Sequence, residues 1–276
     1  MAEALLIALR EGFEASLIVA IVLAFVRKAG APTRAVWVGT ISALVVAAVA
    51  GLVLHATIDG LTGVARQRTF AAICVAAAAL LTWMLFWMAR HSRSMKGDLE
   101  ARAGSALASG SSLGIALVAF TAVAREGLET ALFLVSATSA SDGRSIALGI
   151  VLGLLGAVAL GALVYQGSRR IDLRRFFMVT GGLIILFAAG LLDRAVQFLQ
   201  SSGDLGTANG ALYDLTAFRW LTIDSQSGRV LAGIFGWDPR PSVEQVVVYL
   251  AFLVPVVILY FWERPARGAA KDRVTA

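Results

Sequence analysis

The chain alternates long apolar stretches with short polar connections. Seven stretches are long enough for a helix to cross the ~30 Å hydrocarbon core of a bilayer, which takes about 20 residues. We therefore predict an all-α polytopic membrane protein with seven transmembrane helices. The stretches lie at 3–26, 36–58, 69–90, 112–138, 145–166, 174–199 and 243–262.

The composition agrees with this prediction. Of 276 residues, 58% are hydrophobic and 15% are charged, whereas soluble domains have about 25% charged residues. Cys74 is the only cysteine of the sequence, which excludes an intrachain disulfide and a thiolate metal cluster. The net charge of +6 does not indicate a nucleic-acid partner, because the basic residues lie in short loops between apolar stretches.

The basic residues also predict the orientation in the membrane. Fifteen Lys and Arg residues fall in the connections on one side of the predicted spans, and six fall on the other. Cytoplasmic loops carry the excess of positive charge. We therefore expect a protein of the cytoplasmic (inner) membrane with its N-terminus outside and its C-terminus in the cytoplasm.

Two short charged strings interrupt the apolar stretches. One is Arg10-Glu11-Gly12-Phe13-Glu14, and the other is Arg125-Glu126-Gly127-Leu128-Glu129. A charged side chain at the centre of a membrane span costs about 2.5–3.5 kcal/mol on insertion scales. Three such residues in each string indicate a functional site.

The positions of the two strings predict an inverted repeat. They lie in the first and fourth predicted spans, so the two helices enter the membrane from opposite sides. Transporters with this organisation bind their substrate near the midplane, where the repeats meet. The predicted parts are a three-helix repeat at 1–110, its inverted partner at 111–200, an extracytoplasmic loop at 201–242, and an extra seventh helix with a cytoplasmic tail at 243–276.

Residues three or four apart share one face of a helix. Glu11 and Glu14 therefore point together, as do Glu126 and Glu129, and each string places an arginine four residues before its second glutamate. We expect Arg10 and Arg125 to hold the glutamates in place. We also expect the central glycines, Gly12 and Gly127, to let the first and fourth spans approach closely.

The charge of the two strings favours a cation as ligand. Four glutamates and two arginines leave a formal charge of −2, which a hard di- or trivalent cation offsets. Oxygen ligands suit iron, manganese, magnesium or calcium, whereas neither string has the Cys or Met that copper(I) prefers. We predict a transporter with no permanent cofactor and no catalytic residues, in which the cation is the substrate.

Other interpretations of the strings remain open. A buried ion pair that fixes helix register leaves Glu11 and Glu126 without a partner, and a proton relay would also use clustered carboxylates. Lead or manganese is an alternative substrate. A membrane oxidoreductase subunit would need haem-ligating side chains inside the spans, but His55 and His91 are the only histidines. A passive scaffold for periplasmic partners leaves the glutamates unexplained.

Three further residues are candidates for a pathway. Asp193 and Arg194 lie late in the sixth span and would line a vestibule, and His55 near the outer end of the second span would be a transient metal ligand. We also predict a short interfacial helix at 211–223. The methionines Met84 and Met88 are interpreted as packing residues.

The two Arg-Glu-Gly-X-Glu strings, in the first and fourth of seven spans, resemble the motifs of the oxidase-linked iron permease family. This family includes the fungal high-affinity iron permeases and the bacterial EfeU-type iron transporters. The segment 236–242 is also similar to one that the bacterial members carry. At Gln197-Phe198 the chain departs from the His-Glu pair of the family, so a metal role for that helix end is not expected.

The resemblance implies iron uptake across the cytoplasmic membrane. It also implies periplasmic partners that oxidise or deliver iron, namely a haem peroxidase-like protein and a cupredoxin-like or metal-binding lipoprotein. The residues to which it assigns iron handling are Arg10, Glu11, Glu14, Arg125, Glu126 and Glu129.

Overall fold

The computed structural model describes residues 1–91, 95–138, 143–165, 173–206 and 210–262. Within these ranges the structure is helical, without β-strands, apart from one isolated bridge between Ala211 and Ser242. The predicted tail after Trp262 lies outside the described residues. The helices are α1 (Ala2–Lys28), α2 (Arg34–Asp59), α3 (Gly63–His91), α4 (Met95–Ala108), α5 (Ser112–Thr138), α6 (Gly143–Tyr165), α7 (Leu173–Ser201), α8 (Gln226–Phe235) and α9 (Val243–Trp262).

Each of the seven predicted stretches forms a helix, so the all-α prediction is confirmed for the described residues. Five of these helices, namely α2, α3, α6, α7 and α9, are long and apolar enough to cross a membrane. The other two, α1 and α5, have 27 residues each. They fall outside that set because each carries an arginine and two glutamates in its central part. The chain is thus a multi-pass membrane protein.

Two shorter helices lie in connections. Helix α4 occupies the predicted loop between the third and fourth stretches, where its polar composition gave no signal of a span. The predicted helix at 211–223 is wrong, because this segment forms turns such as the one in which Asp214 Oδ1 accepts a hydrogen bond from Thr216 N at 3.0 Å. Helix α8 begins after Ser225, whose hydroxyl accepts from Gly228 N at 2.8 Å, a favourable N-cap.

The long helices pack in pairs, and each of the first three pairs with a helix from the second half of the chain. Helix α1 lies along α6, α2 along α5, and α3 along α7, while α9 packs on α7. Small residues permit the closest approaches. A Cβ built on Gly153 would lie 2.8 Å from the Cβ of Ala8, and one on Gly156 would lie 2.9 Å from Leu9 Cδ1.

The apolar residues divide into a core and an outer surface. Cys74, Leu81, Phe133 and Leu191 are fully buried where α3, α5 and α7 meet. The outer faces of α2 and α6, in contrast, expose rows of large apolar side chains, a pattern that a lipid-facing surface explains. These residues include Val38, Leu44, Val53, Leu148, Leu155 and Val158.

Candidate metal site

Three glutamates of the charged strings meet where α1 lies against α5. Glu11, Glu126 and Glu129 each offer a carboxylate oxygen, and these oxygens lie within 4.8 Å of one another. Glu11 and Glu126 are buried, with exposed fractions of 1% and 6%. The two helices cross at their strings, and the spacing within each string directs the carboxylates toward the crossing.

The fourth glutamate, Glu14, is bridged to Glu11 by an arginine. Arg10 is buried, and its guanidinium contacts Glu11 Oε1 through Nη1 at 2.6 Å and Glu14 Oε1 through Nη2 at 3.0 Å. Glu14 does not belong to the group of three oxygens. The structure therefore brings together three of the four glutamates that the sequence assigned to one site.

Two methionines of α3 complete the surroundings of Arg10. Its Nη1 lies 3.6 Å from Met84 Sδ, and its Nη2 lies 3.4 Å from Met88 Sδ, so both sulfurs accept from the guanidinium. The sequence interpretation gave these methionines only a packing role. Their spacing of four residues places both on one face of α3, but nothing in the sequence indicates that this face meets Arg10.

The second arginine has a different environment. Arg125 Nε donates to Glu129 Oε1 at 3.0 Å, and 34% of the Arg125 side chain is exposed. Its guanidinium carbon lies 4.6 Å from the ring centroid of Trp87 and 5.7 Å from that of Trp83. Arg125 is only partly buried, and cation–π contacts with two indole rings hold it in position. The sequence analysis missed both tryptophans.

The three clustered glutamates are short of hydrogen-bond donors. The Oε2 atoms of Glu11, Glu126 and Glu129 are buried and have no hydrogen-bond partner within the described part of the chain. Burying a carboxylate oxygen without a donor is unfavourable. The two strings also carry a formal charge of −2, so a bound cation would satisfy both the oxygens and the charge.

The central glycines contact other helices than expected. A Cβ on Gly12 would lie 2.9 Å from the Cβ of Ala157 on α6, and a Cβ on Gly127 would lie 2.6 Å from the Cβ of Ala47 on α2. The prediction that these glycines let α1 and α5 approach each other is therefore wrong. They support the strings by letting each motif helix pack closely on a helix from the other half of the chain.

Two cavities reach the site from opposite ends of α1. The larger has a volume of about 230 Å³ and extends from Glu14 and Glu126 to Asp98 and Arg102 on α4. The smaller has a volume of about 30 Å³ and extends from Arg10 and Glu11 toward Glu3, near the start of α1. The carboxylates lie between the two cavities.

The candidate pathway residues have different surroundings. Arg194 is buried, pairs with Glu3, and donates through Nη2 to the carbonyl of Ala232 on α8 at 2.8 Å. Asp193 is also buried, and its Oδ2 accepts from Gln245 Nε2 at 3.2 Å. His55 is half-exposed beside Asp59, at 3.3 Å, so the structure does not bring it to the site.

Glu3 was not recognised in the sequence. It is 2% exposed and lies eight residues before Glu11, a spacing that keeps two residues on the same broad face of a helix. A glutamate at the start of an apolar stretch could have indicated a buried functional residue. It was overlooked because charged residues at helix ends are common.

Comparison with known proteins gives a consistent result. The profile of the Iron permease FTR1 family matches residues 1–263. A protein of Yersinia pestis named ferrous iron permease EfeU is 36% identical over 275 residues, covering 98% of this chain and 96% of its own. Proteins of the same name from Escherichia coli (strain UTI89 / UPEC) and Shigella sonnei (strain Ss046) are each 35% identical over 272 residues. Each match covers 97% of this chain and 98% of the relative's own length. No solved structure gives a significant match.

Proposed function

The chain belongs to the iron permease FTR1 family, and on this premise we propose that it imports ferrous iron through a carboxylate site formed by Glu11, Glu126 and Glu129. Family membership makes it an iron permease, a transporter rather than an enzyme, with iron as the substrate. The relatives described above are named ferrous iron permeases, which favours the ferrous ion as the substrate here.

The observation that carries the site assignment is the cluster of three carboxylates with unpartnered oxygens. Carboxylate oxygens bind divalent cations such as ferrous iron and manganese. Arg10 holds Glu14 and Glu11, and Arg125 holds Glu129. The arginines thus limit the repulsion between carboxylates when no cation is bound and leave one oxygen of each clustered glutamate available.

The helix pairing supports two inverted repeats, 1–110 and 111–200, within a seven-span protein. Suppose that α1, α2 and α3 of the first repeat correspond to α5, α6 and α7 of the second. The packing of α1 on α6 is then equivalent to the packing of α5 on α2, and α3 packs on its own counterpart, α7. The contacts of Gly12 with Ala157 and of Gly127 with Ala47 exchange in the same way. In transporters with such a pseudo-two-fold relation the substrate site lies near the midplane, which supports a midplane position for these carboxylates.

The distribution of basic residues supports an inner-membrane location with the N-terminus outside. In that orientation α4 and the larger cavity lie on the cytoplasmic side, and α8 with the rest of the segment 201–242 lies on the periplasmic side. This segment is where we place contact with the periplasmic proteins that oxidise or deliver iron. The seventh helix, α9, follows it and packs on α7.

Uptake of labelled ferrous iron into proteoliposomes, under reducing and anaerobic conditions, tests the assignment. We expect Glu11→Gln and Glu126→Gln each to lower the initial rate more than tenfold. Asp224→Asn, an isosteric change at an exposed position of the periplasmic segment, is the matched control and keeps the wild-type rate. Normal uptake by either glutamine variant would overturn the site.

Metal competition distinguishes the substrates. All-oxygen ligation also fits manganese, and lead is a further alternative. We expect unlabelled ferrous iron to compete fully and manganese to compete only at higher concentration. If manganese or lead competes better than ferrous iron, that cation is the substrate of this chain.

A further inference from the structure

The two cavities are lined by corresponding residues of the two repeats. The motif residues differ by 115 positions, from Arg10 to Arg125 and from Glu11 to Glu126. The same difference relates five α1 residues that line the smaller cavity to five α5 residues that line the larger one. The smaller cavity is lined by Glu3, Leu6, Ile7, Arg10 and Glu11, and the larger by Val118, Thr121, Ala122, Arg125 and Glu126.

The cavities are thus equivalent vestibules on the two sides of the carboxylates, but they differ in size. The vestibule bordered by α4 measures about 230 Å³, and the one toward the start of α1 measures about 30 Å³. A volume of 30 Å³ still exceeds the ~10–15 Å³ that one water-sized particle requires. The small vestibule therefore has room for a cation.

One difference between the lining residues is chemical. Where the large vestibule has Val118, the small one has Glu3. Glu3 is 2% exposed. Its Oε1 accepts from Arg194, while its Oε2 is buried without a hydrogen-bond partner in the described ranges. A buried carboxylate with one unpartnered oxygen in a vestibule is a ligand for a cation.

We infer that Glu3 is a second cation-binding residue, which receives a hard divalent cation in the extracytoplasmic vestibule before the cation reaches Glu11. This inference rests on the proposed function. Eight residues of α-helix separate the two glutamates, which is about 12 Å along the axis. A cation would therefore move only a short distance between two carboxylates on one face of α1. The other side chains that line this vestibule are mainly apolar.

Arg194 couples this residue to the periplasmic segment. It neutralises Glu3 when no cation is bound, and through Nη2 it also holds the carbonyl of Ala232 on α8 at 2.8 Å. Next to it, a Cβ on Gly190 of α7 would lie 2.7 Å from Gly236 Cα, so the end of α8 packs tightly over α7. Arg194 thus links Glu3 to α8, and removing Arg194 removes this link.

The test uses the double variant Glu3→Gln/Arg194→Gln, because removing Glu3 alone would leave Arg194 buried and unpaired. Ferrous iron uptake is measured against external concentration in proteoliposomes, and equilibrium binding of ferrous iron is measured on the same protein in detergent. We expect the apparent KM to rise about tenfold while binding at the central carboxylates is retained. An unchanged KM would overturn the role of Glu3.

Two further variants complete the test. Glu3→Asp keeps the charge and is expected to stay within about threefold of the wild-type KM, so an equal loss in this variant would indicate a packing role and overturn the inference. Asp224→Asn is again the control. Absence of binding and uptake in the wild-type protein would refute the proposed function instead, which is a distinguishable result.

The natural cysteine supplies a readout of the coupling. Cys74 is fully buried in the cluster that contains Ile7, Leu191 and Ala195, and Ala195 directly follows Arg194 in the chain. In the double variant we expect faster modification of Cys74 by a membrane-impermeant maleimide added from outside, because α8 is no longer held by Arg194. An unchanged modification rate would contradict the coupling of Arg194 to the periplasmic segment.

Discussion

The guanidinium of Arg125 lies over the indole ring of Trp87, 4.6 Å from its centroid. The matching arginine of the first string, Arg10, is instead buried against two methionine sulfurs. The two motifs are identical in their charged residues, yet their arginines are held by different means. The one beside the larger cavity is partly exposed and depends on aromatic contact.

Replacing this contact should weaken transport. We expect Trp87→Leu to lower ferrous iron uptake by about three- to tenfold, because losing a cation–π contact of roughly 1 kcal/mol lets Arg125 and its partner Glu129 move. Trp87→Phe should retain most of the activity. Trp262→Leu, at a tryptophan that is 75% exposed, is the control, and equal rates for the two leucine variants would refute the role of Trp87.

Arg10 should be essential for stability. Arg10→Leu leaves Glu11 and Glu14 buried without their cationic partner, and breaking a buried pair in this way costs about 3–5 kcal/mol. We expect a clearly lower Tm of the purified protein, which added ferrous iron partly restores because the cation supplies the missing charge. The comparison is Arg66→Leu, which removes an exposed pair with Asp59 that contributes at most about 1 kcal/mol. Similar Tm values would contradict the prediction.

The contact between Gly127 and Ala47 can be tested by exchange. A Cβ on Gly127 would lie 2.6 Å from the Cβ of Ala47, so Gly127→Ala should destabilise the protein by about 1–3 kcal/mol through overpacking. Adding Ala47→Gly should recover part of the loss, since it removes the clashing methyl group. If the double variant is as unstable as the sum of the single variants, the two positions do not interact in this way.

The ion pair between Arg68 and Asp204 should make the stability of the protein depend on pH in the acid range. Two hydrogen bonds from Arg68, at 2.6 and 2.7 Å, lower the pKa of Asp204 from 3.8 to about 2. Because the folded-state pKa is depressed, the pair stabilises the protein above pH 4, and this contribution is lost as the pH falls toward 2. It is small, since both side chains are exposed to solvent.

Thermal unfolding in detergent as a function of pH checks this prediction. The wild-type protein should exceed Asp204→Asn in Tm at pH 7, and the two curves should converge near pH 2. Asp224→Asn, at an exposed residue that forms no ion pair within the described part of the chain, should follow the wild-type curve. A constant difference between wild type and Asp204→Asn from pH 7 to pH 2 would mean that the ionisation of Asp204 is not responsible.

The long helices could be predicted because hydrophobic length is a local property. Every apolar stretch became a helix within a few residues of its predicted bounds. Helix α4 could not be predicted in this way, since its stability comes from packing against α1 and α5 rather than from an apolar run. Helix α8 was misplaced because the turn chemistry of Asp214 and the cap at Ser225 were not weighed against the hydrophobic pattern.

Helix periodicity predicted which site residues share one face of a helix, but not which residues of other helices lie opposite them. Spacing within each string placed Glu126 and Glu129 on one face, and the structure groups them with Glu11. Spacing does not show which helix lies opposite, so the sulfurs of Met84 and Met88, the ring of Trp87 and the pairing of Glu3 with Arg194 were all missed. The true neighbours of Gly12 and Gly127 were missed for the same reason.

The pairing of helices from the two halves of the chain has a consequence for how such a protein can fold. Helix α1 is covered by α6, and α5 by α2, whereas α1 and α2 scarcely touch. A polypeptide with only the first three spans would therefore lack the helix that covers most of its motif helix. Helix α1 can therefore complete its packing only after α6, which follows it by more than a hundred residues, has also entered the membrane.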